Sequence, residues 1–96
     1  MNLVFSPAAE ADLEEIGDYI ALDNPLRAIS FIQDIRDHCQ VIVRTPEAIP
    51  LRDDLLPGIR MSVHGRYLIF HHVDNNSVRI ERILHGARNI AGLIEG

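Results

Sequence analysis

Apolar and charged residues alternate from Val78 to Leu84, and the pattern breaks at Gly86, so Val78-Arg79-Ile80-Glu81-Arg82-Ile83-Leu84 reads as a strand running into a turn. Strict alternation puts Val78, Ile80, Arg82 and Leu84 on one side and Arg79, Glu81, Ile83 and His85 on the other. Both sides then mix apolar and polar residues, which predicts a strand inside a sheet with its C-terminal end near a surface. The preceding run, Tyr67-Leu68-Ile69-Phe70-His71-His72-Val73, is the most hydrophobic and aromatic of the chain, and the turn formers Asp74-Asn75-Asn76-Ser77 join the two as an antiparallel pair. Ile59-Arg60-Met61-Ser62-Val63 also alternates, with Ile59, Met61 and Val63 on one side, and His64-Gly65-Arg66 is a tight connection to the Tyr67 strand. Three strands in a meander result.

Upstream, Leu3-Val4-Phe5 is a short apolar run closed by Ser6-Pro7, a capping residue followed by proline at the first helical position. Ala9, Leu13, Ile16 and Ile20 then form one stripe of a helix ending near Leu22, with Glu10, Glu14 and Asp18 on another side. Asn24-Pro25 repeats the device. Ala28, Phe31, Ile32, Ile35, Cys39 and Ile42 make a second stripe, stopped by Pro46, and so short a connection folds the helices into an antiparallel hairpin. Thr45 to Gly58, with Pro46, Pro50 and Pro57, reads as an irregular surface loop in which Arg52, Asp53 and Asp54 form a solvated charge cluster. The expected architecture is α+β in the order β-α-α-β-β-β, a single domain over residues 1–96 with the helical hairpin packed on a mostly antiparallel sheet. Leu13, Ile16, Ile20, Phe31, Ile35, Ile69 and Phe70 are its expected core. The tail Ile90-Ala91-Gly92-Leu93-Ile94 either caps that core or meets a partner.

Charge sharpens the picture. Residues 1–47 carry nine acids against Arg27, Arg36 and Arg44, a balance of -6, whereas residues 48–96 carry five acids and six arginines, a balance of +1; together they give the net -5. All nine basic residues are arginine, which suits planar recognition of carboxylate or phosphate. A chain that grips nucleic acid by its backbone needs a basic footprint, and this one has none overall. No apolar run approaches the ~18 residues of a membrane span. Met1-Asn2-Leu3-Val4-Phe5 lacks the basic start of a secretory signal, and Cys39, the only cysteine, fits a buried small hydrophobe. A cytoplasmic location is the expectation.

Candidate chemistry is sparse. Adjacent His71 and His72 point to opposite faces of a strand and cannot share an ion, and neither H-x-x-x-H nor C-x-x-C spacing occurs, so neither metal nor cofactor is expected. No G-x-S-x-G elbow and no phosphate-cradling glycine loop is present. One constellation remains: Arg60 on the first meander strand, Tyr67, and Arg82, His85 and Arg88 at the end of the last. Cleavage of RNA through its 2′-hydroxyl needs an acid, a base and cations on the phosphate, which His85 and the arginines could supply. The alternative is that these arginines pair with acids of the helices or of a partner.

Asp12-Leu13, Ile16, Tyr19-Ile20, Asn24-Pro25, Ala28, Phe31, Gly58-Ile59-Arg60, Tyr67-Leu68-Ile69-Phe70 and Arg82-Ile83-Leu84-His85-Gly86-Ala87-Arg88-Asn89 share their order and spacing with a known family. Over nearly its whole length the chain resembles the ParE toxins of the RelE/ParE superfamily of type II toxin–antitoxin modules. The closing Ile-Leu-His-Gly-Ala-Arg-Asn is the most specific part. The resemblance implies a small toxin held inactive in a hetero-oligomer by a ribbon-helix-helix antitoxin of the ParD kind, which wraps its C-terminal segment around the toxin. It also implies DNA gyrase as target, whereas RelE-like relatives cut mRNA in the ribosome with strongly basic sites that contain lysines and a late tyrosine. This chain has no lysine and no tyrosine after Tyr67, and Ala48-Ile49-Pro50 stands where many relatives have a loop glycine. The expectation is a non-enzymatic gyrase inhibitor contacting its target through His85, Arg88, Leu93 and Ile94 and its antitoxin through Arg60 and Arg82, with no direct nucleic-acid or membrane partner. The rival reading is a ribosome-dependent endoribonuclease using Arg82, His85 and Arg88.

Overall fold

Two capped prolines start the helices. Ser6 sits in extended backbone and its Oγ accepts the Ala9 N–H at 2.9 Å, which opens helix α1 (Pro7–Ala21). Asn24 does the same for α2 (Pro25–Arg44), accepting the Arg27 N–H at 3.0 Å. The computed structural model describes residues 1–88 and 90–95, and for Ala91, Leu93 and Glu95 the backbone. Strand β1 (Asn2–Phe5) precedes the hairpin; β2 (Arg60–His64), β3 (Tyr67–Asp74), β4 (Ser77–His85) and a short helix α3 (Ile90–Glu95) follow it.

The four strands form one sheet in the order β1-β4-β3-β2, antiparallel throughout the meander, with β1 parallel to β4. As the alternating pattern predicts, β4 is internal. Both meander turns are two-residue loops that need left-handed backbone, supplied by Gly65 at φ 59° and Asn75 at φ 45°. The helices cover one face of the sheet, where Ala9, Leu13, Ile16, Ile35, Cys39 and Ile42 meet Ile69, Val78, Ile80 and Ile83. Ile59, Phe70 and Leu84 form a smaller cluster on the opposite face, under Leu55 and Leu56 of the long loop and Ile90 and Ile94 of α3.

Three expectations change. Ile20 and Phe31 are half-buried rather than buried: Ile20 lies in the last turn of α1, beside the exposed tip of the hairpin, and Phe31 lies at the rim against the rings of His64 and Tyr67. Val63, expected beside Ile59 and Met61, is exposed at the end of the edge strand β2. The long loop is also more ordered than its prolines suggest. It begins with a 3-10 turn, Pro46–Ala48, and Leu51 bridges to Arg60, whose guanidinium donates to the carbonyls of Glu47 at 2.9 Å and Ile49 at 2.7 Å. Arg52 grips Asp54 with two bonds, and Asp53 accepts the Gly58 N–H at 2.7 Å.

The strict alternation read along β4 also fails, because the strand contains a bulge. His71 pairs with Ile80 and Phe70 with Arg82, so Glu81 is an extra residue in the ladder. The phase shifts there. Ile80 and Ile83, three apart, both enter the core under the helices, while Leu84 turns to the other face. The bulge, and the run of β4 past the last β1 pair at Ile80, leave backbone groups without ladder partners, and the start of α1 supplies them. Ser6 Oγ donates to the Glu81 carbonyl at 2.7 Å, the Ser6 N–H donates to the Ile80 carbonyl at 2.9 Å, and Asp12 Oδ2 accepts the Ile83 N–H at 2.9 Å. Asp12 also receives Nε and Nη2 of Arg82 at 2.8 and 2.9 Å, a bidentate pair with side-chain exposures of 7% for the acid and 24% for the base.

On β3, buried His71 approaches the Pro46 carbonyl through Nε2 at 3.1 Å, and its Nδ1 is buried without a partner. A carbonyl only accepts, so Nε2 carries the proton, and the buried Nδ1 without an acceptor favours the neutral ring. Burial is the main cause that lowers its pKa below the usual histidine value; the neighbouring charges of Arg60 and His72 add to it, and the bond to Pro46 opposes it.

Phe70→Ala empties a fully buried site and is expected to cost about 3–5 kcal/mol, while Phe31→Ala, at the rim, costs less; urea midpoints of the two variants check the order. Asp12→Ala removes the carboxylate partner of Arg82 and leaves the Ile83 N–H without its acceptor. The expected loss is about 2–4 kcal/mol, below that of a fully buried pair because Arg82 keeps some contact with water. Asp12→Asn retains an oxygen for Ile83 and should lose less, and a wild-type melting temperature in Asp12→Ala would show that the bonds of Asp12 to Arg82 and Ile83 do not stabilise the fold. For His71, the folded-state pKa is depressed. The unfolded chain therefore takes up a proton first as pH falls below about 6.5, and stability declines from there by at most about 1.4 kcal/mol per pH unit. Denaturant titrations at pH 7.5 and 5.5 should show this decline, and it should be smaller in His71→Leu.

Candidate functional site

The residues of α1 that face the end of β4 are Asp12, Glu15, Ile16 and Tyr19, spaced along one side of the helix. Across from them stand Arg66, Tyr67, Ile83, His85 and Arg88, and between the two sets lies a cleft of about 460 Å³. The hairpin turn at Gly65-Arg66 and the turn at Gly86 meet here, held by a bond from the Gly86 N–H to the Arg66 carbonyl at 2.9 Å. A side chain at position 86 would press on that carbonyl, since a Cβ would lie 3.4 Å from it. Glycine thus lets the chain leave the sheet tightly and turn His85 and Arg88 toward α1.

His85 ends β4 opposite Tyr67, and the two rings meet edge to face with centroids 5.3 Å apart. Its Nδ1 accepts the Ala87 N–H at 3.1 Å, which in the neutral ring assigns the proton to Nε2. Tyr67 also touches Phe31, with centroids 5.6 Å apart, so its ring is fixed from two sides. Burial is the main cause that raises its pKa, with Tyr19 and Glu15 adding to it, and the phenol stays protonated at neutral pH. Tyr67 can donate or accept a hydrogen bond there but is no ready base.

The arginines separate into three environments. Arg88 lies 3.8 Å from Glu15 in an exposed pair that contributes little to stability. Arg82 is held on Asp12, and that bond is the main cause raising its pKa further. Arg60 is absent from the cleft: it sits on the edge strand β2 and holds the long loop through backbone carbonyls. Of the residues singled out in the sequence, the fold therefore brings Tyr67, His85 and Arg88 into one cleft, places the carboxylate partner of Arg82 on its wall, and leaves Arg60 elsewhere. Ile94 packs with Ile90 on the cluster of Ile59, Phe70 and Leu84; the side chain of Leu93 and residue Asn89 lie outside the described residues.

Four lining residues escaped the pattern reading: Asp12, Glu15, Tyr19 and Arg66. Asp12, Glu15 and Tyr19 recur at i, i+3 and i+7, a stripe visible in the sequence but beside the apolar one rather than opposite it. Arg66 passed as a turn residue. The cleft is consequently mixed in charge, with two carboxylates facing Arg66, Arg88 and His85. Among the described residues no cluster of three or more metal-ligating side chains occurs, and no helix is long and apolar enough to cross a membrane.

Comparison with known proteins agrees with this architecture. A solved structure described as the chromosomal ParDE TA system from P. aeruginosa is similar, with a TM-score of 0.78 and 26% identity over 88% of this chain and 95% of that one. Among curated proteins nothing matches. The model of the family described as the ParE toxin of the type II toxin-antitoxin system parDE matches residues 3–90, nearly the whole of a fold that carries its two helices on a four-stranded, mostly antiparallel sheet, and the chain belongs to that family.

Proposed function

We propose that this toxin acts by binding DNA gyrase rather than by catalysis, and that a ParD-like antitoxin silences it in a hetero-oligomer. The observation that carries the reading is the charge of the cleft. Two carboxylates of α1 line it, Asp12, which holds Arg82, and Glu15, beside Arg88. A phosphate chain entering there must displace those acids, and a chain of net charge -5 without lysine offers little compensating attraction. A protein partner needs only a complementary surface. The antitoxin half of the proposal is supported by family membership and by the similar structure, whose description names a ParDE system.

The surface offers two places for partners. Tyr19, Leu22, Leu26 and Ile29, each 70 to 82% exposed, gather around the tip of the helical hairpin, and apolar exposure of that kind marks a protein-interaction face. His85 and Arg88, with Arg66, border the cleft next to it. We place the gyrase contact on His85 and Arg88. Ile94, with Leu93, remains part of that proposal only if α3 can lift from the cluster it covers. For the antitoxin, Arg82 and Arg60 can serve as anchors by exchanging Asp12 and the loop carbonyls for carboxylates of the incoming segment.

Toxin freed from its antitoxin should inhibit gyrase-dependent supercoiling or trap cleaved DNA. His85→Ala and Arg88→Ala should each weaken this by about tenfold, the weight of a contact contributing ~1.4 kcal/mol. Translation extracts should show intact mRNA. Removal of residues 90–96 uncovers Ile59, Phe70 and Leu84, so its effect on gyrase has to be measured beside a melting curve. Codon-specific mRNA cleavage that disappears in His85→Ala or Arg88→Ala, with gyrase unaffected, would overturn the reading in favour of the RelE-type endoribonuclease.

A further inference from the structure

Away from the cleft, two histidines 26 residues apart in sequence converge where α2 passes the edge strand β2. His38 of α2 and His64, the last residue of β2, point Nδ1 at Nδ1 across 2.9 Å, with ring centroids 5.1 Å apart and planes inclined at 61°. Both are partly buried, and the Phe31 ring stands edge-on to His64 with centroids 5.6 Å apart, which limits the rotation of that imidazole. In this contact one Nδ1 carries the proton and the other accepts it; loss of that proton leaves two lone pairs side by side on the seam between helix and sheet edge.

From this juxtaposition we propose that His38 and His64 form a two-histidine site for a divalent transition metal ion of the imidazole-preferring class, zinc, nickel or copper. Metal–nitrogen bonds of about 2.0–2.1 Å that meet at a right angle separate their nitrogens by about 2.9 Å, whereas a tetrahedral angle separates them by about 3.3 Å. The observed spacing equals that of adjacent positions in a square-planar or tetragonal shell once each ring turns its lone pair off the Nδ1···Nδ1 line to meet at the ion, and a tetrahedral zinc site needs in addition a widening of about 0.4 Å. Among the described residues no third protein ligand joins the pair, so water fills the remaining positions. The bound ion would clip β2, an edge of the sheet, to α2. It would also bind only the folded chain, because the two ligands come together only there, and so raise the melting temperature. Ligation requires both rings neutral, and acid releases the ion.

The competing account of the same geometry is a single N–H···N bond between two neutral rings. Tag-free full-length toxin, stripped with chelator, would be titrated with zinc, nickel and copper ions at pH 7.5 by calorimetry, while the imidazole nitrogen resonances are followed by NMR. The expected result is one ion per chain, shifts at Nδ1 of His38 and His64, and at least tenfold weaker binding in His38→Gln and in His64→Gln. His72→Gln and His85→Gln should bind as the parent does. Three results would each overturn the proposal: none of the ions binds, binding is equal in the His38 and His64 variants, or the parent retains an Nδ1 proton between the rings at saturating metal. The NMR readout on the parent decides the matter even if a variant fails to fold.

Discussion

Asp12 holds the chain's two halves in register. Its carboxylate closes the Ile83 N–H, which faces the side of β4 where β1 has ended, receives both donors of the Arg82 fork, and stands on the wall of the cleft. These bonds span about 70 residues of sequence, so they join the first helix to the last strand with no intermediary. Ser6 adds a second tie from the same segment, since one hydroxyl caps α1 and donates to the Glu81 carbonyl. The bulge and the helix start are therefore one device. Without the bulge, Ile80 and Ile83 could not both face the helices; without Ser6 and Asp12, the bulge and the part of β4 beyond β1 would bury unsatisfied backbone.

That device explains where sequence reasoning succeeded and where it stopped. Caps and turns are local chemistry: Ser6-Pro7, Asn24-Pro25, Gly65 and Asn75 each determine a backbone geometry from neighbouring atoms, and the element order followed from them. The helical stripes were legible for the same reason, because Leu13, Ile16, Ile35 and Cys39 repeat with the period of the helix. The bulge was not legible. Glu81 sits in an alternating run with no glycine or proline to mark it, and its partners lie at the other end of the chain. Asp12 was visible only as a member of a family motif, and its role depends on the face of α1 that meets β4. The cleft shared this opacity: His85 and Arg88 stood out as chemistry, but Asp12 and Glu15, which decide its charge, were indistinguishable from surface acids.

The second face of the sheet shows the same division. Phe70 was recognisable as core from its apolar strand, but what covers it was not, because the cover comes from an irregular loop and a six-residue helix. Leu55 and Leu56 reach it because Arg60 and Asp53 anchor the loop at either side, through carbonyls of Glu47 and Ile49 and through the Gly58 N–H. Arg60 thus acts on packing through backbone oxygen atoms, a use of arginine that charge counting does not suggest. The tail is likewise tied to the core by Ile90 and Ile94, so a partner that takes α3 must replace the apolar cover it removes.

Charge distribution gains its meaning only from the fold. The N-terminal half carries -6 and the C-terminal half +1, and the α1–β4 packing sets part of each against the other. Arg82 and Arg88 look like a basic pair in the sequence, but Asp12 and Glu15 stand opposite them, three residues apart on the facing helix. Such an arrangement separates two kinds of target. A nucleic acid presents phosphates at close, regular spacing and gains from a field of one sign, which these carboxylates cancel locally. A protein presents isolated charges among apolar anchors and can meet a mixed cleft beside an exposed apolar helix tip, pairing with one acid or one arginine at a time. The acidity of α1 therefore neutralises the end of β4, and it is on this neutralisation that the proposed preference for a protein target over a polyanionic one rests.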